Sequence, residues 1–394
     1  MTSLYLRRKA AERRFRFYGQ CAIGFSLLIL VLLLGSLITR GWNGLQEATL
    51  TIQVNPAPGV VPDADSGLEV YQALMYSALR DSVPRIAPQK QRELYGLVSL
   101  TAHSDFKRQF DHLMTLRQKP SGPMPVTLPV SDSVTLYLKG KLEGDALRQH
   151  LTETQQEVIE HWRKNNKLAM GWDWDFFSSG DSREPEAAGF LAAILGSFFT
   201  VLVALALAFP LAVATAVYLE EFAPKHWLSD VIEVNINNLA AVPSIVFGLL
   251  GLALYLNVMG LPRSSALVGG LTLALLVLPV IIIATRASLR AVPPSIRDAA
   301  RALGASELQV VAHHVLPLAF PGILTGTILG IARIVGETAP LLMIGMVAFI
   351  ADVPDSIVAP ATAMPVQIYL WASSPETSFV EKTAAGILVL LVML

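Results

Sequence analysis

Long apolar runs alternate with polar segments along the chain, and their lengths predict an α-helical membrane protein. A helix needs about 20 apolar residues to cross a hydrocarbon core about 30 Å thick. The runs of that length are Gln20–Ile38, Phe190–Leu219, Ile236–Leu256, Ala266–Thr285 and Leu318–Ile350. A shorter last run, Ala384–Leu394, is expected to begin a sixth helix, which one or two further turns would make long enough to span. The pattern therefore predicts a polytopic fold with about six transmembrane helices.

A polar insert, residues 40–186, separates the first two long runs and is long enough for one small core. Alternating polar and apolar positions predict strands at Thr49–Val54 and Val134–Leu138. Helical periodicity predicts helices at Leu68–Leu79, Ser104–Leu116 and Asp145–Lys164, with Ser104 and Asp145 as N-caps. We therefore expect an α+β domain between a first part, residues 1–39, and a membrane domain, residues 187–394. The insert contains no convincing nucleophile–base pairing, so we expect it not to be catalytic.

Four aromatic residues stand just before the second long run: Trp172, Trp174, Phe176 and Phe177. They are typical of an aromatic belt at a membrane interface. A hydrophobic patch that closes the core of the insert is an equally good interpretation.

Basic residues predict the orientation of the chain, because lysine and arginine collect in cytoplasmic loops. Eleven lie in the segments that this rule places inside: Arg7, Arg8, Lys9, Arg13, Arg14, Arg16, Lys225, Arg286, Arg290, Arg297 and Arg301. Only Arg263 and Lys382 lie in the candidate outside loops. We predict a cytoplasmic N-terminus, a periplasmic insert and an uncleaved first helix, since no small-residue cleavage site follows Ile38.

Composition agrees with a membrane protein and excludes several other classes. The chain is 53% hydrophobic and 15% charged, against roughly 25% charged residues in soluble domains. A net charge of −1 gives no general reason to bind nucleic acid. One cysteine and seven scattered histidines argue against a disulfide framework or a zinc site.

The predicted inside segment 291–317 carries the signals of two short helices. Ser295 with Asp298, and Ser306 with Gln309, have capping-box spacing or nearly so. Gly304 between them suits a left-handed helix end, and Pro317 is expected to stop the second helix. From the residues alone, this knob is either a docking element for a cytoplasmic partner or a packed interhelical loop.

The same segment resembles the EAA loop of ABC importer permeases. Asp298-Ala299-Ala300 precedes Gly304, and nine residues separate Gly304 from His314, which is followed by Val-Leu316-Pro317. Asp298 replaces the usual glutamate, and His314 replaces a usual isoleucine. The resemblance implies that Asp298, Ala299, Ala300, Gly304, Leu316 and Pro317 couple the permease to an ATPase. The chain has no GxxxxGK[ST] motif, so ATP and magnesium would be bound by a partner subunit, with no cofactor in this chain.

Two further segments, Asn238–Gly248 and Ala332–Leu342, look like signatures of phosphate-importer permeases. The whole chain resembles the PstA-type branch with an extended N-terminal periplasmic domain. This resemblance implies a type I ABC importer permease fold over residues 187–394 and an inner-membrane location. It also implies a homologous second permease, two ATPase subunits and a periplasmic phosphate-binding protein as partners.

Charged residues within the fifth run suggest an anion path. Gly322, Gly326, Gly330, Arg333 and Glu337 are predicted to share one helical face. Glycines at this spacing allow close helix approach, and intramembrane charges face protein or a water-filled path. Arg333, with Glu337 and the adjacent Thr338, is therefore the candidate phosphate pathway. The alternative is that Arg333 and Glu337 only neutralise each other.

Two other functions stay open. One is the same transporter class acting on another oxyanion, such as molybdate or sulfate. The other is a membrane-anchored sensor whose outer domain binds a ligand, although the polytopic core argues against it.

Overall fold

The computed structural model describes residues 2–55, 67–84, 87–116, 122–224, 226–347 and 349–394. Lys225, one of the basic residues used to predict orientation, lies outside these ranges. The described chain forms a helical membrane domain and a small α+β insert. The first helix, α1, runs from Thr2 to Gly44, a length of about 65 Å at 1.5 Å per residue. The insert therefore begins at about Gln46 instead of residue 40.

The insert is built on a three-stranded antiparallel sheet in the order β2-β1-β3. Helices cover the sheet, and apolar side chains such as Leu50, Phe106 and Trp162 fill the fully buried core between them. The strands are β1 (Gln46–Val54), β2 (Met124–Pro129) and β3 (Leu168–Trp172). The helices are α2 (Leu68–Asp81), α3 (Gln91–Tyr95), α4 (Ala102–Leu116), α5 (Asp132–Leu138), α6 (Gly144–His150) and α7 (Glu153–Lys164).

Three predictions for the insert are wrong. Val134–Leu138 is part of helix α5, because its buried residues Val134, Thr135 and Leu136 are consecutive and do not alternate. The helix expected over Asp145–Lys164 is broken at Leu151, and α7 begins with a capping box formed by Thr152 and Gln155. Neither Ser104 nor Asp145 is an N-cap, since each lies inside its helix. The strand at 49–54 and the helices at 68–79 and 104–116 are confirmed.

The membrane domain contains the remaining helices. They are α8 (Leu191–Val217), α9 (Trp227–Ala240), α10 (Ser244–Gly251), α11 (Ala266–Arg290), α12 (Pro294–Ala302), α13 (Glu307–Val310), α14 (Leu316–Val335), α15 (Ala339–Met343), α16 (Met364–Ala372) and α17 (Thr377–Met393). Among the described residues, four helices are long and apolar enough to cross a membrane, or five if one bent pair is a single span.

Two predicted spans are interrupted by proline or glycine. The run 236–256 bends by 100° between α9 and α10, where Pro243 lacks an N–H and disfavours helical geometry in the residue before it. The run 318–350 is not one helix, because α14 ends at Gly336 and only the short α15 follows. Hydropathy identified both apolar runs but not these breaks.

Small residues pack α8 closely against α11. Ala204, Ala208, Ala212 and Ala216 recur every four residues on α8 and are all fully buried. A Cβ on Gly270 of α11 would lie 2.5 Å from the Cβ of Val203. This spacing leaves no room between the two helices, which together form the centre of the membrane domain.

Candidate functional site

The knob, residues 291–317, lies at the end of α8 opposite the insert. The chain leaves the insert at Ala188 and enters α8 at Leu191. At the far end of α8, Glu220 and Glu221 form ion pairs with arginines of α11 and of the knob. Helix α1 also runs away from the insert towards its own N-terminus. The basic N-terminus and the knob are therefore on the same side of the membrane domain.

Within the knob, two short helices meet at a glycine, as the sequence predicts. Gly304 has a φ of +87°, a left-handed conformation that glycine adopts without steric cost. The capping box of Ser306 and Gln309 is confirmed. Ala300 is buried, whereas Leu303 and Leu308 are 89% and 68% exposed. The knob thus presents two apolar side chains at its tip.

Three details of the knob differ from the prediction. Helix α12 begins at Pro294, so Ser295 is not its N-cap and Asp298 lies beyond its first turn; proline is favoured at the first helical position because its missing N–H has no partner there. Asp298 instead pairs with Arg301 at 3.4 Å. Pro317 does not stop a helix, because it lies in the first turn of α14, where a proline is tolerated.

Arg297 of the knob is joined to the end of α8. Its Nη2 and Nε donate to both carboxylate oxygens of Glu221, at 2.6 Å and 3.2 Å. The same guanidinium donates to the carbonyl oxygens of Leu289, near the end of α11, and Val292, where the chain enters the knob. Both charged side chains are largely buried. One arginine therefore fixes α12 to two membrane helices.

A second ion cluster surrounds this joint. Arg286 binds Glu220 at 3.3 Å and Glu233 of α9 at 2.8 Å, and Arg290 also binds Glu220, at 2.7 Å. The two glutamates after α8 stand at a helix C-terminus, where negative charge is unfavourable. The arginines compensate that charge. In the sequence these arginines indicate only the orientation of the chain, because their acidic partners are distant from them.

The candidate anion-path residues lie near the end of α14. Gly322, Gly326 and Gly330 all face α11, so the close helix approach is confirmed. Arg333 lies in the last turn of α14 with its side chain 45% exposed, while Glu337 follows the end of the helix. Arg333 keeps the predicted helical spacing, but the prediction of a common face does not extend to Glu337, because α14 ends at Val335.

Arg333 and Glu337 form a loose ion pair, with 3.9 Å between Nε and Oε1. A strong charge-assisted hydrogen bond is about 2.8 Å long, so this arginine is only weakly held. Thr338 follows directly and its carbonyl oxygen accepts from the backbone of Leu341 and Leu342 at the start of α15. The structure thus brings Arg333 and Glu337 together, with Thr338 next to Glu337 in the chain.

The two signature segments, 238–248 and 332–342, also pack against each other. A Cβ on Gly248 would lie 2.7 Å from the Cα of Pro340 and 2.9 Å from the Cβ of Met343. Only glycine permits this approach of α10 to α15. Among the described residues, no group of three or more histidine, cysteine, aspartate or glutamate side chains could hold a metal ion.

Comparison with known proteins identifies both parts of the chain. Residues 208–394 match the family "Binding-protein-dependent transport system inner membrane component", and residues 3–147 match a domain of unknown function, DUF3333. The phosphate transport system permease protein PstA 1 of Mycobacterium tuberculosis (strain CDC 1551 / Oshkosh) is 35% identical over 57% of this chain and 72% of its own length. PstA of Haemophilus influenzae is 31% identical over 59% of this chain and 92% of its own length.

Among solved structures, an inward-facing form of the MetNI methionine ABC transporter matches with a TM-score of 0.39 and 17% identity, covering 51% of this chain and 86% of that chain. The relatives are named as permease subunits, not as enzymes. Together with the apolar helices, the family match makes the chain a multi-pass inner-membrane protein. The chain belongs to the PstA family of ABC transporter permeases.

Proposed function

We propose that the chain is the permease subunit of an ATP-driven phosphate importer, where it forms half of the transmembrane pathway and couples to a separate ATPase subunit. The knob is the observation that carries this proposal. It presents exposed Leu303 and Leu308 at its tip, and Arg297 fixes its base to α8 and α11. A partner could bind the exposed apolar tip, and the firmly held base would pass the partner's movement on to α8 and α11.

If transport is coupled to ATP hydrolysis, another subunit must bind the ATP. The chain lacks a phosphate-binding GxxxxGK[ST] loop, so ATP and magnesium belong to the partner. Within the knob, Asp298, Ala299, Ala300 and Gly304 form the docking part. Leu316 and Pro317 carry its movement into α14, because they occupy the first turn of that helix.

Phosphate is the proposed substrate because the PstA relatives are named for phosphate transport. Arg333 is the pathway residue, since a guanidinium remains ionised and can bind two phosphate oxygens at once. Its loose 3.9 Å contact with Glu337 leaves the arginine able to exchange a carboxylate for the anion. Thr338 adds a hydroxyl donor next to the pair.

The proposed assembly contains a homologous second permease, two ATPase subunits and a periplasmic phosphate-binding protein in the bilayer. Exposed apolar residues on α14, such as Ile328 and Leu329, are about two-thirds accessible and support a further membrane partner on that side. We place the N-terminus and the knob in the cytoplasm and the insert in the periplasm, because of the basic bias.

Co-purification and uptake test this function. A tagged chain should co-purify with an ATPase and a second permease. Cells that contain this complex as their only high-affinity importer should take up radiolabelled phosphate, and arsenate should compete. Competition by molybdate or sulfate, with no effect of arsenate, would favour another oxyanion. Loss of function on deletion of the insert, with no effect of changes in the knob, would favour the sensor alternative.

Orientation is tested separately by labelling. Asn165 is exposed on the insert, so Asn165→Cys in a Cys21→Ser background should react with an impermeant thiol reagent in intact spheroplasts. Reaction only after lysis of the membrane would reverse the proposed orientation.

A further inference from the structure

The first turns of α17 are covered by the insert. Glu381 and Lys382 belong to this helix of the membrane domain and are only 5% and 6% exposed. Buried charges are costly unless they are paired. Each of them finds its partner in the insert or in the segment that leaves it.

The pairs form one interdomain ion cluster, made of Asp132, Lys139, Asp173, Glu381 and Lys382. Lys382 Nζ lies 3.0 Å from Asp173 Oδ2, and Lys139 Nζ lies 3.0 Å from Glu381 Oε2. Near these pairs, Ser378 of α17 donates a hydrogen bond to Asp132. Lys141 of the insert also pairs with Glu381. These contacts join α17 to the insert.

The cluster also reaches α1 and the entrance to α8. Lys139 Nζ donates to the carbonyl oxygen of Asn43 in α1 at 2.6 Å, while Lys382 Nζ donates to that of Ala188 at 2.7 Å. Gly44 of α1 lies so close to Glu381 that a Cβ would overlap the Glu381 carbonyl oxygen. The ends of α1, α8 and α17 therefore meet at the cluster.

Other contacts between the two parts lie beside the cluster. The backbone N–H of Asp181 donates to the Ile350 carbonyl oxygen at 2.9 Å, and Trp371 Nε1 of α16 donates to the Asp181 carboxylate at 3.0 Å. Phe176 is fully buried and stacks on Phe190, with ring centroids 5.5 Å apart. A domain on a flexible tether would not bury charges and aromatic rings against its neighbour in this way.

We propose that the insert is a rigid brace that holds the ends of α1, α8 and α17 in one fixed arrangement while the complex transports its substrate. The interdomain ion cluster sets that arrangement, because a buried ion pair tolerates little displacement before its charges lose their partners. This role goes beyond the proposed transport of phosphate, since it requires only that the membrane domain changes conformation around a fixed unit.

A staple across the interface tests the brace directly. Asp132→Cys and Ser378→Cys are combined in a Cys21→Ser background and joined in the assembled complex by oxidation or by a short bifunctional thiol reagent. Each single cysteine serves as a control. We expect phosphate uptake by the stapled complex within twofold of the Cys21→Ser complex, since the joined elements do not move apart. The single cysteines and the unstapled pair lose the hydrogen bond between Ser378 and Asp132, so they should take up no more phosphate than the stapled complex. A loss of tenfold or more that is reversed by reduction would overturn the proposal.

Removal of a cluster charge supplies the second arm. Lys382→Met leaves Asp173 buried without its cation, and we expect uptake to fall at least tenfold. The staple should restore most of the lost uptake, because it holds α17 against the insert without restoring the charge. Arg163→Met, which removes an exposed cation of the insert, should change uptake less than twofold. Normal uptake by Lys382→Met, or a loss that the staple does not repair, would contradict the brace.

Failure of the phosphate assignment is recognised separately. If the unmodified complex does not import phosphate, ATP hydrolysis stimulated by molybdate or sulfate is measured in place of phosphate uptake, with the same variants. The brace is then judged by the stapled and unstapled complexes, whatever the substrate is.

Discussion

The bond between Arg297 and Glu221 gives the sharpest test of coupling. Arg297→Gln removes a guanidinium that donates to both Glu221 oxygens and to the carbonyl oxygens of Leu289 and Val292. The Glu221 side chain, only 8% exposed, then keeps its charge without this cation. We therefore expect the knob to lose its fixed position relative to α8 and α11.

The magnitude follows from burial. Breaking a buried ion pair by removing one partner costs about 3–5 kcal/mol, and the 15% exposure of the Arg297 side chain allows some compensation by water. We take about 2–3 kcal/mol as the change in the free energy of holding the knob in place. At about 1.4 kcal/mol per factor of ten, the ratio of well-placed to displaced knob falls about 30- to 140-fold.

Proteoliposomes that contain the purified complex provide the assay, with phosphate imported per ATP hydrolysed as the measured ratio. This ratio should fall at least tenfold in Arg297→Gln, while the ATPase subunits remain bound. Arg301→Gln is the matched control, because its contacts with Asp298 and Glu307 are exposed, and its ratio should change less than twofold. An unchanged ratio in Arg297→Gln would refute the coupling role of this bond.

Three other outcomes are expected. Arg333→Gln should lower radiolabelled phosphate uptake at least tenfold with normal assembly, whereas Arg333→Lys keeps the charge and partial activity, and Glu337→Gln is milder. Gly304→Pro should uncouple uptake from ATP hydrolysis, because proline cannot adopt a φ of +87°; Gly304→Asn, which tolerates this region, is the control. Burial raises the pKa of Glu186 to about 7 and that of Glu47 to about 9. The buried, protonated carboxyl groups contribute fully to stability below about pH 4.5, and this contribution is lost as the pH rises through these pKa values. The melting temperature should therefore fall between pH 5 and 8, and the fall should be smaller in Glu186→Gln.

The locations of the helices could be predicted because an apolar run of spanning length has few alternatives. Their breaks could not be predicted from hydropathy, although Pro243 and Gly336 carried the necessary local signal. Short segments were the least predictable. Val134–Leu138 is rich in residues that favour strands, but five residues do not distinguish two-residue alternation from a buried helical turn.

For the candidate site, local signals were sufficient only for local features. The capping box at Ser306 and the left-handed Gly304 are determined by neighbouring residues, and both were predicted correctly. Arg297 and Glu221 are 76 residues apart, and Lys382 and Asp173 are 209 residues apart. Nothing in the sequence of either segment identifies its partner, because a charged residue near a helix end could equally well be solvated by water. The contact arises only when α8, α11 and α17 have packed.

Helix α8 connects the interdomain ion cluster at one end to the Arg297–Glu221 pair at the other. Its entrance at Ala188 is held by Lys382, and its far end carries Glu221, the partner of Arg297 in the knob. Between these points, buried alanines fit directly against α11, and closely packed interfaces transmit displacement instead of absorbing it. We therefore expect a movement of the knob to displace α8 and α11 together, as a rigid pair. If the end of α8 next to the insert were free, this movement would tilt the helix towards the insert. If the brace holds that end, we expect α8 to pivot about it and to displace the neighbouring helices instead.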